Sequence, residues 1–193
     1  MTTIMTTIKI RAPKIFSEKQ KTLLNFINKY NPILMVEGFT GRKLKKNIIF
    51  RHKPLKMEAR FRGHAIYADF NNNVKYLWTC ICHELAHILL RNPPWYKNKQ
   101  IKEIIRKDKE IGSGDGQTFK DAIEQALAIL LQAACESRAN IRKLKWSEWE
   151  TTFDYMRVEE LGRKFWRSWL KYLKNNSRYK NIDQWILYEV KKL

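Results

Sequence analysis

The residues best suited to chemistry lie in the segment H-E-L-A-H, where His83 and His87 flank Glu84. The chain contains 4 histidines in all, so the pair does not come from a histidine-rich composition. Residues four apart on an α-helix lie on the same side, about 40° apart around the axis and about 6 Å apart along it. On a helix, both imidazoles could therefore reach one metal ion, with the carboxylate beside them.

Zinc is the metal that suits these side chains. Imidazole nitrogens bind it at about 2.0–2.1 Å, and a catalytic zinc keeps one position for water. The metal lowers the pKa of that water toward about 7, and a neighbouring carboxylate can take its proton as it attacks a carbonyl. H-E-x-x-H therefore predicts a zinc peptidase with His83 and His87 as ligands and Glu84 as general base. Cys80, one turn before His83, could add a thiolate, although a small buried apolar residue is the commoner role of cysteine.

A catalytic zinc needs a third protein ligand, and two carboxylates are the main candidates. Asp115 lies in the glycine-rich stretch G-S-G-D-G, and Glu136 lies in C-E-S-R-A-N. Carboxylate oxygens are competent zinc ligands. Asp115 could instead be an ordinary turn residue, and Glu136 could be a helix carboxylate paired with a nearby arginine. We take Asp115 as the third ligand, Glu136 as its alternative, and Glu124 as a more distant candidate.

The hydrophobic pattern predicts which elements carry these residues. A capping box at Ser17 opens a helix that ends before Pro32, and the apolar stripe of residues 74–91 makes the H-E-L-A-H segment helical. Three short strands are predicted between these helices, in I-L-M-V-E-G-F-T, K-N-I-I-F-R-H and R-F-R-G-H-A-I-Y-A-D-F. A long apolar helix follows the glycine-rich stretch, and two or three basic, aromatic-rich helices follow Trp146. We therefore expect a core over residues 1–145 and a helical extension over residues 146–193.

Two short segments resemble known zinc protease families. D-G-x-x-F, formed by Asp115, Gly116 and Phe119, resembles the H-G-x-x-F segment of SprT/Spartan-like metalloproteases, with aspartate in place of the third histidine. E-x-x-A-N, starting at Glu136, resembles the third-ligand segment of ImmA/IrrE-type zinc proteases. The SprT-like resemblance covers roughly residues 17–141, and the ImmA/IrrE resemblance is weaker.

The SprT-like resemblance implies an α+β fold with a zincin-like minimal core. That core has an N-terminal helix, a three-stranded antiparallel sheet, the H-E-x-x-H helix and a second core helix, here followed by a helical C-terminal extension. It also implies that the strand nearest the cleft, for which R-F-R-G-H-A-I-Y-A-D-F is the candidate, binds a protein or peptide substrate in extended form. Proteolysis of proteins on DNA is the activity implied. The ImmA/IrrE resemblance implies instead the cleavage of a repressor.

The charge of the chain independently favours nucleic acid as a partner. Lys and Arg number 38 against 19 Asp and Glu, which gives a formal net charge of +19. Such a surface attracts polyanions. The residues predicted to bind DNA are Arg163, Lys164, Trp166, Arg167, Trp169 and Lys171. Their basic groups could neutralise phosphates and their rings could stack on bases, although the same pattern fits an amphipathic helix whose aromatic side chains face the core.

Composition bounds the location and class of the protein. An odd count of 3 cysteines is typical of reduced, intracellular chains. No apolar run reaches membrane-spanning length, and the first residues lack the apolar block of a signal peptide. We therefore expect a cytoplasmic, nucleic-acid-associated zinc endopeptidase without a membrane partner.

One alternative is a non-catalytic DNA-binding protein with a structural zinc, in which Glu84 would have no role. The group that stabilises the oxyanion is left open among Tyr155, His64 and Arg138.

Overall fold

The structure is a computed structural model that describes residues 6–54, 59–90, 97–111, 118–152, 156–174, 179 and 181–193. The fold is α+β, as the sequence predicts. Its elements are β1 Ile8–Arg11, α1 Ser17–Lys29, α2 Pro32–Thr40, β2 Ile48–His52, β3 Arg60–Arg62, β4 Ala65–Ala68, α3 Val74–Leu90, α4 Lys99–Ile111, α5 Phe119–Arg138, α6 Met156–Lys174 and α7 Ile182–Val190.

The sheet is mixed and four-stranded, in the order β1-β2-β4-β3. β2 pairs in parallel with both β1 and β4, and only β3 and β4 are antiparallel. The expectation of three antiparallel strands is therefore wrong in strand number and in direction. Parallel neighbours need a crossover connection, and α1 and α2 supply it between β1 and β2. The alternating sequence I-K-I-R of β1 is a local strand signal that lies outside the three predicted strands.

The first predicted strand, residues 33–40, is wrong because these residues form the helix α2. Asn31 caps this helix, since its Oδ1 accepts a hydrogen bond from the backbone N–H of Leu34 at 3.1 Å. Pro32 is the first helical residue, a position where its missing N–H costs nothing. A continuous apolar run cannot by itself distinguish a strand from a buried helix. The cap at Asn31 and the proline at the first helical position favour the helix.

The second predicted strand is confirmed as β2, and the third is two strands joined by a tight turn. Arg62 of β3 pairs with Ala65 of β4, which leaves a loop of Gly63 and His64. Gly63 has a φ of +63°, which glycine adopts without steric cost and which suits the first loop position of a type II′ hairpin. The turn makes β3 an edge strand of the described sheet.

The helix that carries H-E-L-A-H is held at both ends. Asn73 caps its start, with its Oδ1 accepting from the backbone N–H of Tyr76 at 2.9 Å. The guanidinium of Arg42 donates to the carbonyl oxygen of Leu89 in the last turn, where α-helices leave carbonyls without intrahelical partners. The prediction of a helix over residues 74–91 is confirmed to within one residue.

The loop before this helix is fixed by a single lysine of α1. The ammonium of Lys19 donates to the carbonyl oxygens of Phe70, Asn71 and Asn72, at 2.7, 3.3 and 3.0 Å. Carbonyl groups in a loop need donors when they leave water. The position at which α3 begins is therefore tied to α1.

Contacts divide the chain into two compact units. Unit 1 comprises Met1–Gly38 and Arg42–Leu89, and unit 2 comprises Phe39–Gly41 and Leu90–Leu193. The division falls at the end of α3, whereas the sequence predicts a boundary after residue 145. In unit 2 the predicted apolar helix is α5, and the predicted C-terminal helices are α6 and α7. None of the described helices is long and apolar enough to cross a membrane.

Candidate metal site

The two histidines of H-E-L-A-H converge on α3. Their Nε2 atoms lie 3.1 Å apart, and both side chains are half-exposed on a helix that is otherwise mostly buried at this level. Two imidazole nitrogens bound at about 2.0–2.1 Å to one tetrahedral zinc lie about 3.3–3.4 Å from each other. The observed separation is within a few tenths of an ångström of that value. The pair therefore fits zinc, and without metal the same separation allows one ring N–H to donate to the other ring.

An aromatic side chain of the edge strand fixes the second histidine. The ring of Phe61 in β3 stacks on the ring of His87, with centroids 5.9 Å apart and an interplanar angle of 17°. The rings of His83 and His87 meet nearly edge to face, at 4.8 Å and 71°. Phe61 thereby brings the edge of the sheet next to the histidine pair. No local spacing in the sequence connects Phe61 to His87, so the contact is not predictable from the sequence.

Glu84 lies between the histidines and is buried, with 5% of its surface exposed. Burial in apolar surroundings disfavours an ionised carboxylate unless it is hydrogen-bonded or near a positive charge. Glu84 has an interaction partner in the fold, so its burial does not by itself require a metal, and its role as general base stays a prediction.

The candidate third ligands differ in what the structure describes. Asp115 lies outside the described residues. Glu136 lies in α5, is buried with 4% exposure, and accepts a hydrogen bond from Nε2 of Gln132 at 2.8 Å. Over the part of the chain that is described, no group of three or more His, Cys, Asp and Glu side chains is placed to hold a metal ion. The third ligand remains a prediction, with Asp115 and Glu136 as its candidates.

The remaining candidate residues from the sequence lie in different parts of the fold. Cys80 is buried at 6% exposure, in keeping with the apolar role expected for it. Glu124 forms an ion pair with Lys120 at 3.5 Å. His64 is exposed in the β3–β4 loop, and the guanidinium of Arg138 lies 4.8 Å from the ring centre of Phe39. Tyr155 lies outside the described residues.

The aromatic part of the predicted DNA surface does not fit the structure. Trp169 of α6 is fully buried, and its ring packs against Trp185 at 5.3 Å between centroids. Trp166 is 6% exposed. A buried ring cannot stack on a base. Trp169 therefore fits the alternative, in which the aromatic side chains of an amphipathic helix face the core. The basic residues of the same prediction, Arg163, Lys164, Arg167 and Lys171, are exposed.

Comparisons with models of protein families, with curated proteins and with solved structures found no match. The SprT-like and ImmA/IrrE-type resemblances rest on the residues quoted above.

Proposed function

We propose that this protein is a zinc-dependent endopeptidase in which His83 and His87 hold the metal. The observation that carries the proposal is the 3.1 Å separation of the two Nε2 atoms on a capped helix, with Glu84 between them. A structural zinc would need the histidines but not the carboxylate. The combination therefore favours catalysis over a purely structural metal.

Bound zinc would supply a water molecule with a pKa lowered toward about 7. Glu84 would take a proton from that water during attack on the substrate carbonyl and would pass it to the leaving amine. Phe61 holds the His87 ring in its orientation through the stacking contact. The third ligand stays a prediction from the sequence, with Asp115 as the first candidate and Glu136 as its alternative.

The edge strand β3 is the surface on which an extended substrate would bind. It is last in the strand order of the described sheet, and it reaches the histidine pair through Phe61. Extended peptides add to such edges through main-chain hydrogen bonds. A substrate strand beside β3 would bring its backbone to the side of α3 that carries the histidines.

Metal binding and proteolysis of single-residue variants test this proposal. Zinc-loaded wild-type protein should contain about one zinc per chain, and His83→Ala should lose stoichiometric binding. Glu84→Gln should keep its zinc and its fold but cleave a random peptide library about 10²- to 10⁴-fold more slowly, because only the proton acceptor is removed.

Glu103→Gln is the matched control, since Glu103 is exposed on α4 and forms no hydrogen bond or ion pair with a described side chain. It should cleave at the wild-type rate. Failure of the wild-type protein to bind zinc would refute the metal site. Equal cleavage by Glu84→Gln and wild type would remove Glu84 as the base.

A further inference from the structure

Unit 2 contains a half-open cavity that the peptidase proposal does not use. Its volume is about 370 Å³, and its lining residues are Trp146, Glu150, Arg163, Trp166 and Arg167. Ligand pockets in proteins measure about 300–1,000 Å³. The cavity therefore has room for one small ligand or one unit of a polymer.

Two tryptophans form an aromatic wall of this cavity. The rings of Trp146 and Trp166 meet edge to face, with centroids 5.4 Å apart at 68°. Trp166 is almost fully buried, whereas Trp146 is half-exposed. An aromatic ring that lines a cavity can serve as a stacking platform for a planar ligand. Trp146 lines this cavity and is therefore the platform, and Trp166 packs against it.

The segment that carries Trp146 is held in place by contacts of Arg142 and Trp149. The guanidinium of Arg142 donates to the Thr152 hydroxyl at 3.0 Å and to the carbonyl oxygen of Glu148, and it lies 4.2 Å from the ring centre of Trp149. Trp149 is itself buried, and its indole N–H donates to the carbonyl oxygen of Lys143 at 2.9 Å. The platform is therefore formed before any ligand arrives.

The cavity also carries an acceptor and a donor that do not pair with each other. Glu150 and Arg167 are both exposed, and neither forms an ion pair or side-chain hydrogen bond with another described residue. Arg163 differs, since its Nη2 donates to Oε1 of Glu159 at 2.6 Å. A carboxylate only accepts hydrogen bonds and a guanidinium only donates them. A ligand that satisfies both has N–H donors on a flat ring and an anionic group elsewhere.

A row of basic side chains leads away from the cavity along α6. Arg167, Lys171 and Lys174 are exposed, lie about 6 and 4.5 Å apart along the axis, and pair with no acidic side chain among the described residues. Lys164 on the neighbouring face is engaged, because it binds Glu160 at 2.7 Å and thereby lowers the pKa of that carboxyl. Three successive unpaired cations suit a chain of phosphates better than a single anion.

We propose that this cavity binds one guanine nucleotide of a single-stranded nucleic acid. The base stacks on Trp146, and its ring N–H and adjacent amino group donate to the carboxylate of Glu150. The phosphates follow Arg167, Lys171 and Lys174. Guanine is the base whose pairing edge offers two neighbouring donors to one carboxylate. In a duplex that edge is already paired, so the site selects single strands. The inference is independent of the zinc site.

Fluorescence anisotropy with end-labelled oligonucleotides tests the proposal on the full chain. Thymidine oligomers with one central guanine should bind wild-type protein more tightly than the same oligomers with adenine, by about tenfold. Glu150→Gln should abolish this preference, because the amide presents an N–H group to one of the base donors. Trp146→Leu should weaken binding of the guanine oligomer about tenfold through the loss of stacking.

Arg167→Glu tests the row of cations, and Lys21→Glu is its control for net charge, since Lys21 is exposed on α1 and has no partner among the described side chains. Arg167→Glu should reduce the slope of log affinity against log salt by about 0.7 more than the control does. Equal affinity of wild-type protein for the guanine and adenine oligomers would overturn base recognition by Glu150. An equal effect of the two charge changes would overturn the phosphate path. Glu150 has no described partner, so Glu150→Gln tests the base preference even if Trp146→Leu does not fold.

Discussion

The edge strand beside the histidine pair predicts a preference for acidic substrates, if the protein is the peptidase proposed above. Arg60 and Arg62 of β3 are exposed, and Phe61 between them is half-buried against His87. Successive side chains of a strand point to opposite faces. A substrate strand added beside β3 would therefore place two of its side chains, separated by one residue, next to the two guanidinium groups.

The size of the expected preference for acidic peptides follows from the energy of cross-strand charge pairs. An opposite-charge pair on neighbouring strands contributes about 0.2–1 kcal/mol. Two such pairs give about 0.4–2 kcal/mol, which corresponds to about a 2- to 30-fold change in kcat/KM. Because both arginines are exposed, screening by salt should reduce the effect.

Quenched fluorescent peptides measure this preference directly. One series carries Asp-x-Asp moved one residue at a time through the sequence, and a matched series carries Lys-x-Lys. Wild-type protein should cleave the best acidic peptide about 2- to 30-fold faster than its lysine counterpart. The double variant Arg60→Glu/Arg62→Glu should reverse the order, whereas reversing the exposed Lys75 to Glu should leave it unchanged. Equal cleavage of the two series at low salt would refute the assignment of β3 as the substrate strand.

Three further outcomes are expected. Asp115→Ala should weaken zinc binding strongly and Glu136→Ala much less, as isothermal titration with zinc would show; the reverse order would favour the ImmA/IrrE-type ligand set. Burial raises the pKa of Tyr172 to about 12, so its neutral form stabilises the fold below pH 10, and this stability should be lost as the pH rises from 10 to 12. Ultraviolet titration should then show one late tyrosine that is missing in Tyr172→Phe. Lys19→Met removes donors from three loop carbonyls and should cost about 1–3 kcal/mol in denaturant unfolding, whereas the exposed Lys21→Met should cost under about 0.5 kcal/mol.

Local patterns predicted the elements whose signals are local. The sequence predicts α3 because the apolar residues Leu77, Ile81, Leu85 and Ile88 recur at helical spacing. The mistake at residues 33–40 has an equally local cause. Pro32 predicts the end of the preceding helix, but proline also suits the first turn of a new helix. The cap at Asn31 was the signal that could have corrected the prediction.

Sheet topology was not predictable in this way. Whether β2 runs parallel or antiparallel to its neighbours depends on the path of α1 and α2 between the strands, and no residue of β2 records that path. The split of residues 60–70 into two strands depends on one backbone angle at Gly63. A glycine within a strand pattern permits such a turn but does not require it.

In the candidate metal site, too, contacts within one helix are predictable from the sequence, whereas contacts between elements are not. The convergence of His83 and His87 follows from a spacing of four on one helix, so the sequence was sufficient to place both nitrogens near one point. Phe61 reaches His87 from a strand 26 positions earlier in the numbering, and only the fold of the sheet edge brings the two rings together. The sequence therefore indicates the chemistry proposed for the pair, whereas the fold determines which surface lies beside it. Because Phe61 packs on His87, the proposed ligand, and also belongs to the edge strand, Phe61→Ala should weaken zinc binding and peptide cleavage together. A variant of Arg60 should change cleavage alone.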